Sequence, residues 1–147
     1  MIVVPGSPNI ERAMANASLV DWVAESHEHT TWTTSVCTGA FLLGAAGVLR
    51  NRRATTHWSR HERLLDFGAV PVSERYVVDG KVVTSAGVSA GIDMALYLAS
   101  ELADRRIAEA IQLGLEYNPK PPFDAGSPST APAQIVRLVR SLLTAQR

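Results

Sequence analysis

The chain has 147 residues, 46% of them hydrophobic and 19% charged, a composition that fits one globular domain with a core and excludes an intrinsically disordered segment. Its 14 basic and 14 acidic residues cancel, so it lacks the basic footprint of a nucleic-acid binder or of a protein held on an anionic membrane. The single cysteine excludes an internal disulfide, which fits a reducing cytoplasm and leaves one thiol free for chemistry.

Residues 1–4 form an apolar, β-branched run stopped by Pro5-Gly6, which predicts a chain that begins inside a buried strand. Ser18 is the expected cap of a helix whose apolar residues Leu19, Trp22 and Val23 recur at helical spacing, and 32–36 reads as a second strand. Residues 40–46 are apolar on nearly every face, as in a helix packed between a sheet and another element. The longest apolar stretch, 40–49, is interrupted by glycine and too short to cross a bilayer, and no charged-then-apolar signal segment opens the chain, so a cytoplasmic protein is expected. A short strand follows over 53–56, then a helix bearing Trp58, Leu64, Leu65 and Phe67 and ending at Gly68. Two β-branched runs, 75–78 and 81–84, flank Asp79-Gly80 and predict a type I′ hairpin. Ile92, Ala95, Leu96, Ala99 and Leu102 share one helical stripe, and Ile135, Leu138, Val139 and Leu142 share another; both helices are expected to pack by these stripes. Between them lie a helix over 107–115 and an extended, proline-rich loop over 118–128. Strands alternating with helices predict an α/β domain with a mainly parallel sheet and one antiparallel hairpin, with ligands at the carboxyl ends of the strands.

Ser35-Val36-Cys37-Thr38-Gly39 ends a strand and begins a helix, with small residues two places to either side of the cysteine. That is the pattern of a nucleophile elbow, where the reversal is too tight for large neighbours and the central side chain is pushed into the crevice. A thiol at a helix amino terminus also meets unpaired backbone N–H groups and the positive end of the helix dipole, which favour thiolate. A buried, inert cysteine is the alternative for a lone thiol, and the spacing favours function.

The run 35–47 (SVCTGAFLLGAAG) followed by Arg-Arg-Ala-Thr-Thr-His-Trp (52–58) resembles the ThiJ/PfpI superfamily, which is related to class I glutamine amidotransferases. Val-Pro-Gly (4–6), the run 84–93 (TSAGVSAGID) and Pro-Pro-Phe-Asp-Ala-Gly-Ser-Pro (121–128) narrow the resemblance to its isonitrile hydratase group, along nearly the whole chain. It implies a flavodoxin-like parallel sheet flanked by helices with an antiparallel hairpin, in one domain over 1–147 that lacks the family's N-terminal strands. It also implies a homodimer that acts on a small-molecule substrate without a cofactor. The implied chemistry is addition of the Cys37 thiolate to an isonitrile carbon, completed by water to an N-substituted formamide. Thr38 would join Cys37 in catalysis, and the backbone N–H of Thr38, with amides near Gly6 and Ser7, would hold developing negative charge. Family members often carry a glycine where this chain has Ser7. The same cysteine-containing core also resembles the sensor-like domain of AraC-type regulators, which leaves a non-catalytic ligand-binding or redox-sensing domain as the alternative function.

The resemblance further implies a carboxylate beside the cysteine, on a segment before the Val-Pro-Gly motif that this sequence does not contain. Asp124 and Asp93 are the candidates to replace it, although a D-A-G-S-P turn and a helix amino terminus each give an aspartate a structural reason to be there. His57 closes the strand over 53–56 and is expected in the crevice with Cys37, either tuning the sulfur and its water or simply bonded to backbone. His27 and His29 diverge on a helix and no ligand set has metal-site spacing, so no metal is expected. Arg50, Arg52 and Arg53, like Arg105 and Arg106, read as solvated faces, because no phosphate-binding glycine loop accompanies them.

Overall fold

The computed structural model describes residues 1–145. Its main sheet contains β1 (Ile2–Val4), β2 (Thr33–Val36), β5 (Tyr76–Asp79) and β6 (Val82–Ser85), in the order β1-β2-β6-β5. β1, β2 and β6 are parallel, and β5 pairs antiparallel with β6. Two short strands, β3 (Arg53–Ala54) and β4 (Val70–Pro71), form a separate parallel pair. The helices are α1 (Ile10–Met14), α2 (Ala17–His29), α3 (Gly39–Ala45), α4 (Ala90–Leu102), α5 (Arg105–Gly114) and α6 (Ala133–Ala145). This is the predicted α/β fold, with its parallel-dominated sheet and antiparallel hairpin.

Register explains where a site can form. Val4 pairs with Ser35 and Ser35 with Thr84, so the three parallel strands end level. The chain therefore leaves the sheet at Pro5-Gly6, at Cys37 and at Ala86 along one edge. Alternation splits β6 between the two faces. Val82 joins Val4, Ile10, Phe41, Leu43, Leu49 and Leu64 in the larger core, and Val83 joins Met94 and Leu98 in the smaller. Residues 39–44 of α3 are all buried, as a helix apolar on every face requires. Glycines let it approach. A Cβ on Gly39 would stand 2.3 Å from the Val4 carbonyl oxygen, and one on Gly44 would stand 2.4 Å from the Phe67 ring.

The strands are rich in hydroxyls, and these tie the sheet to its flanks. Thr34 Oγ1 donates to the Ile2 carbonyl at 3.0 Å, and the Thr55 N–H donates to Thr84 Oγ1 at 2.8 Å. The second bond fastens the segment after β3 to β6, which carries His57 toward the site edge. Arg52 and the Arg53 amide both bind Asp79, and Arg53 pairs with Glu74, so two of the three clustered arginines clamp the hairpin. His27 is buried, its Nδ1 2.8 Å from Thr33 Oγ1, with Lys81 bound to its carbonyl.

Several boundaries differ from expectation. α2 is capped by Asn16, whose side chain accepts the Leu19 N–H at 3.2 Å, two residues ahead of Ser18. Trp58–Phe67 is 3₁₀ rather than α-helical, broken at Arg60, and it stops at Gly68 with φ +69° as predicted. The hairpin loop is Gly80-Lys81, one place later than expected, since Asp79 still pairs with Val82. Only Gly80 has positive φ there, and a type I′ turn needs two such residues. α4 buries Ala90, Met94 and Leu98 instead of the predicted stripe, leaving Ile92 and Leu102 exposed. Ile135, Leu138 and Leu142 of α6 are likewise exposed. Among the described residues no helix is long and apolar enough to cross a membrane.

The His27 site makes acid stability testable. Burial, then the charge of Lys81, holds its pKa below the ordinary 6.5. Between the lowered folded value and about 6.5 the unfolded chain binds more protons, so stability is complete above that window and is lost as pH falls through the folded value. His57, also lowered, adds with the same sign. Urea unfolding at pH 7.5 and 5.0 should show lower stability in acid. His27→Asn should cost about 1 kcal/mol at neutral pH through its lost hydrogen bond, and should reduce the acid loss. An unchanged difference between the two pH values would contradict the assignment.

Candidate active site

At the end of β2 the chain turns into α3 through Cys37, which has φ +56°. A non-glycine residue in this left-handed region costs about 1–2 kcal/mol and persists only where its surroundings enforce it. Here three groups do so. The Cys37 N–H is shared between the carbonyls of Ser85 and Ala86, each at 2.9 Å, and its own carbonyl accepts from Thr56 Oγ1 at 2.7 Å. The elbow predicted from Ser35 and Gly39 is present: Ser35 is fully buried, and Gly39 stands where any side chain would strike β1.

Gly6 lies over the cysteine. A Cβ at position 6 would stand 2.8 Å from Cys37 Cβ and 3.3 Å from Sγ, so the absence of a side chain keeps the sulfur uncovered. Gly6→Ala is expected to push the Cys37 side chain aside, at about 1–3 kcal/mol of stability, and to slow labelling of the thiol by a maleimide. An unaltered labelling rate and melting temperature would contradict the contact.

Ser7 and Thr38 bond reciprocally. The Ser7 N–H donates to Thr38 Oγ1, and that hydroxyl donates to the Ser7 carbonyl, both at 2.9 Å. The amide expected near Ser7 is therefore already engaged. Among the described residues, the N–H groups of Gly6, Thr38 and Gly39 have no protein acceptor, so Gly6 and Thr38 are among the donors left beside the cysteine.

His57 stands at the start of the 3₁₀ helix, with Nδ1 2.8 Å from Ser59 Oγ and accepting the Ser59 N–H at 3.4 Å. An amide can only donate, so the imidazole proton sits on Nε2. Burial, then the Arg60 charge, holds its pKa below the ordinary value. The ring is thus neutral near pH 7 and presents a donor.

His57 lines an open cleft of about 1180 Å³ together with Thr56, Trp58, Ala86, Val88 and Phe123. Cys37 is not in that lining. It adjoins the cleft through Thr56 and Ala86, both bonded to its backbone. Of the two replacement acids, Asp93 is occupied, bound by Arg75 and accepting from Tyr117 Oη at 2.7 Å. Asp124 is exposed and lines the cleft. Sequence reasoning missed Thr56, the clamp of the elbow, although it lies in the Ala-Thr-Thr-His run that drew attention to His57. It also missed Trp58, Val88 and Phe123 as walls of one cleft. Among the described residues no group of histidine, cysteine and carboxylate side chains could hold a metal.

A level parallel sheet edge with a cysteine at the apex of a strain-held strand-to-helix elbow defines a cysteine-elbow α/β protein. The model of the DJ-1/PfpI family matches residues 1–101, and the chain belongs to that family. It is 47% identical over 136 residues to an isonitrile hydratase of Pseudomonas putida, covering 92% of this chain and 60% of that one. The structure superposes on a ThiJ/PfpI family protein from Pseudomonas syringae with TM-score 0.91 and 40% identity, over 97% of this chain and 60% of that one. A helix-turn-helix transcriptional regulator, CdhR of Pseudomonas aeruginosa, is 31% identical over 93 residues, covering 62% of this chain and 28% of the regulator. The chain thus spans 60% of the length of the first two relatives.

Proposed function

We propose that Cys37 hydrates isonitriles to N-substituted formamides. The observation that carries this reading is the likeness to the Pseudomonas putida hydratase over 92% of the chain, joined to a cysteine held at φ +56° beside free backbone donors. In the scheme, the sulfur bonds to the terminal carbon of R–N≡C while the thiol proton passes to that same carbon, giving R–N=CH–S–Cys37. Water then adds across the C=N bond to give R–NH–CH(OH)–S–Cys37. Collapse expels the sulfur, which regains a proton from the hydroxyl and leaves R–NH–CHO. The N–H groups of Gly6 and Thr38 stabilise negative charge as it develops. Thr38 Oγ1 keeps the Ser7 backbone in place, and neutral His57 orients water through Nε2–H. The scheme uses no metal or cofactor.

The test is to mix the protein with an isonitrile, follow loss of the isonitrile infrared band and appearance of the formyl proton by NMR, and look for substrate mass on the Cys37 peptide. Neither turnover nor adduct would overturn the reading. Binding or redox sensing without turnover is the second reading, supported by the likeness to the CdhR regulator; ligand binding or reversible oxidation at Cys37, with no formamide formed, would favour it. We also infer a cytoplasmic homodimer. Leu102, Ile107 and Ile111 expose apolar surface on α4 and α5, which a second copy would cover. Sedimentation should give twice the chain mass, and a monomer at micromolar concentration would count against it.

A further inference from the structure

The cleft beside the elbow is far larger than the two reacting atoms of an isonitrile. At about 1180 Å³ it somewhat exceeds the roughly 300–1,000 Å³ of sites that take drug-sized ligands. Its walls carry apolar side chains that no core claims: Val88 is 83% exposed and Phe123 78% exposed. Val88 belongs to the turn after β6 and Phe123 to the proline-rich loop, and both face the space lined by the Trp58 and His57 rings. The two rings stand 5.6 Å apart, and the Arg140 guanidinium lies over Trp58. The cleft adjoins the elbow: Thr56 and Ala86 both line it and both bond the Cys37 backbone, at 2.7 and 2.9 Å. Of its charged lining, Arg60 and Arg63 are bound to Glu11, Arg75 to Asp93 and Glu74 to Arg53, while Glu62, Asp124 and Arg140 line it as well. Amid this polar lining, Trp58, Val88 and Phe123 offer a ligand an apolar and aromatic patch.

We propose that this cleft receives the N-substituent of the isonitrile and selects bulky apolar groups, with Val88 and Phe123 as the specificity-determining side chains. The proposal rests on the hydratase reading. Concavity and closeness to the elbow through Thr56 and Ala86 favour a substrate group over a protein partner, which needs a broader and flatter surface. In an apolar pocket even one methylene more or less discriminates by roughly 10- to 200-fold, so a ring against a methyl group should be separated by at least about 10-fold.

The test compares benzyl isocyanide with methyl isocyanide on the full chain, wild type against Phe123→Ser and Val88→Ser. Both side chains are exposed, so the variants should melt with the parent. The benzyl-to-methyl ratio of kcat/KM should fall about 10-fold in each. A ratio that stays put would overturn the proposal, as would a variant that turns a dimer into a monomer with no change in ratio. Saturation-transfer NMR with N-benzylformamide and N-methylformamide decides the question even if no isonitrile turns over. A preference of about 10-fold or more for the benzyl compound, reduced in Phe123→Ser, upholds the cleft while the hydratase reading fails. No preference in the parent overturns the cleft.

Discussion

Cys37→Ser is expected to lower isonitrile turnover by on the order of 10³-fold or more, because the sulfur makes and breaks the only covalent bond to the substrate in the scheme. The variant should remain folded. The left-handed turn is held through backbone groups, by Ser85, Ala86 and Thr56, and none of these bonds involves the sulfur. His57→Asn should weaken turnover far less, since a neutral ring that donates from Nε2 orients water without taking a proton. Formamide formation measured side by side in the two variants decides between them. Equal losses in folded proteins would promote His57 to an essential acid or base, and near-normal turnover by Cys37→Ser would end the covalent scheme.

The largest expected loss of stability is at Phe41. Its ring is fully buried in α3, lies 5.8 Å from the stacked ring of Phe67, and carries the Arg63 guanidinium 5.0 Å above its centroid. Phe41→Ala should cost about 3–5 kcal/mol, the transfer of a buried ring plus the cavity it leaves. The cavity would open beneath the helix that starts at the elbow, so loss of fold and loss of site should coincide in urea titrations that follow both ellipticity and Cys37 labelling. A loss below about 1 kcal/mol would mean that the core refills around α3.

The elbow was legible because its cause is local: Ser35 and Gly39 flank Cys37 at the spacing that a tight strand-to-helix reversal demands. The parallel sheet was legible for a similar reason, as short apolar or β-branched runs alternate with stretches of helical spacing. What escaped the sequence depends on partners far along the chain. The Ser7–Thr38 exchange spans 31 positions, so local pattern gave no sign that this amide is engaged. α4 carries two apolar stripes, and only the position of the sheet selects Ala90, Met94 and Leu98 over Ile92 and Leu102. Asn16 and Ser18 are both competent caps by residue type, and it is Asn16 that accepts the Leu19 N–H. Asp93 had a local reason to sit in the first turn of α4. Its bonds to Arg75 and Tyr117 appear only when three segments meet.

That meeting at Asp93 also has a mechanical meaning. Tyr117 stands just before the loop that carries Phe123, and its hydroxyl holds the same carboxylate that anchors Arg75, next to β5. The loop that carries Phe123 is therefore fastened to the scaffold through Asp93 at its near end, while Val88 sits in the turn that follows β6. Under the proposed function, a change at Tyr117 would loosen that loop and reshape the cleft while leaving in place the bonds that hold Cys37, so that the range of substrates could drift apart from the reaction itself.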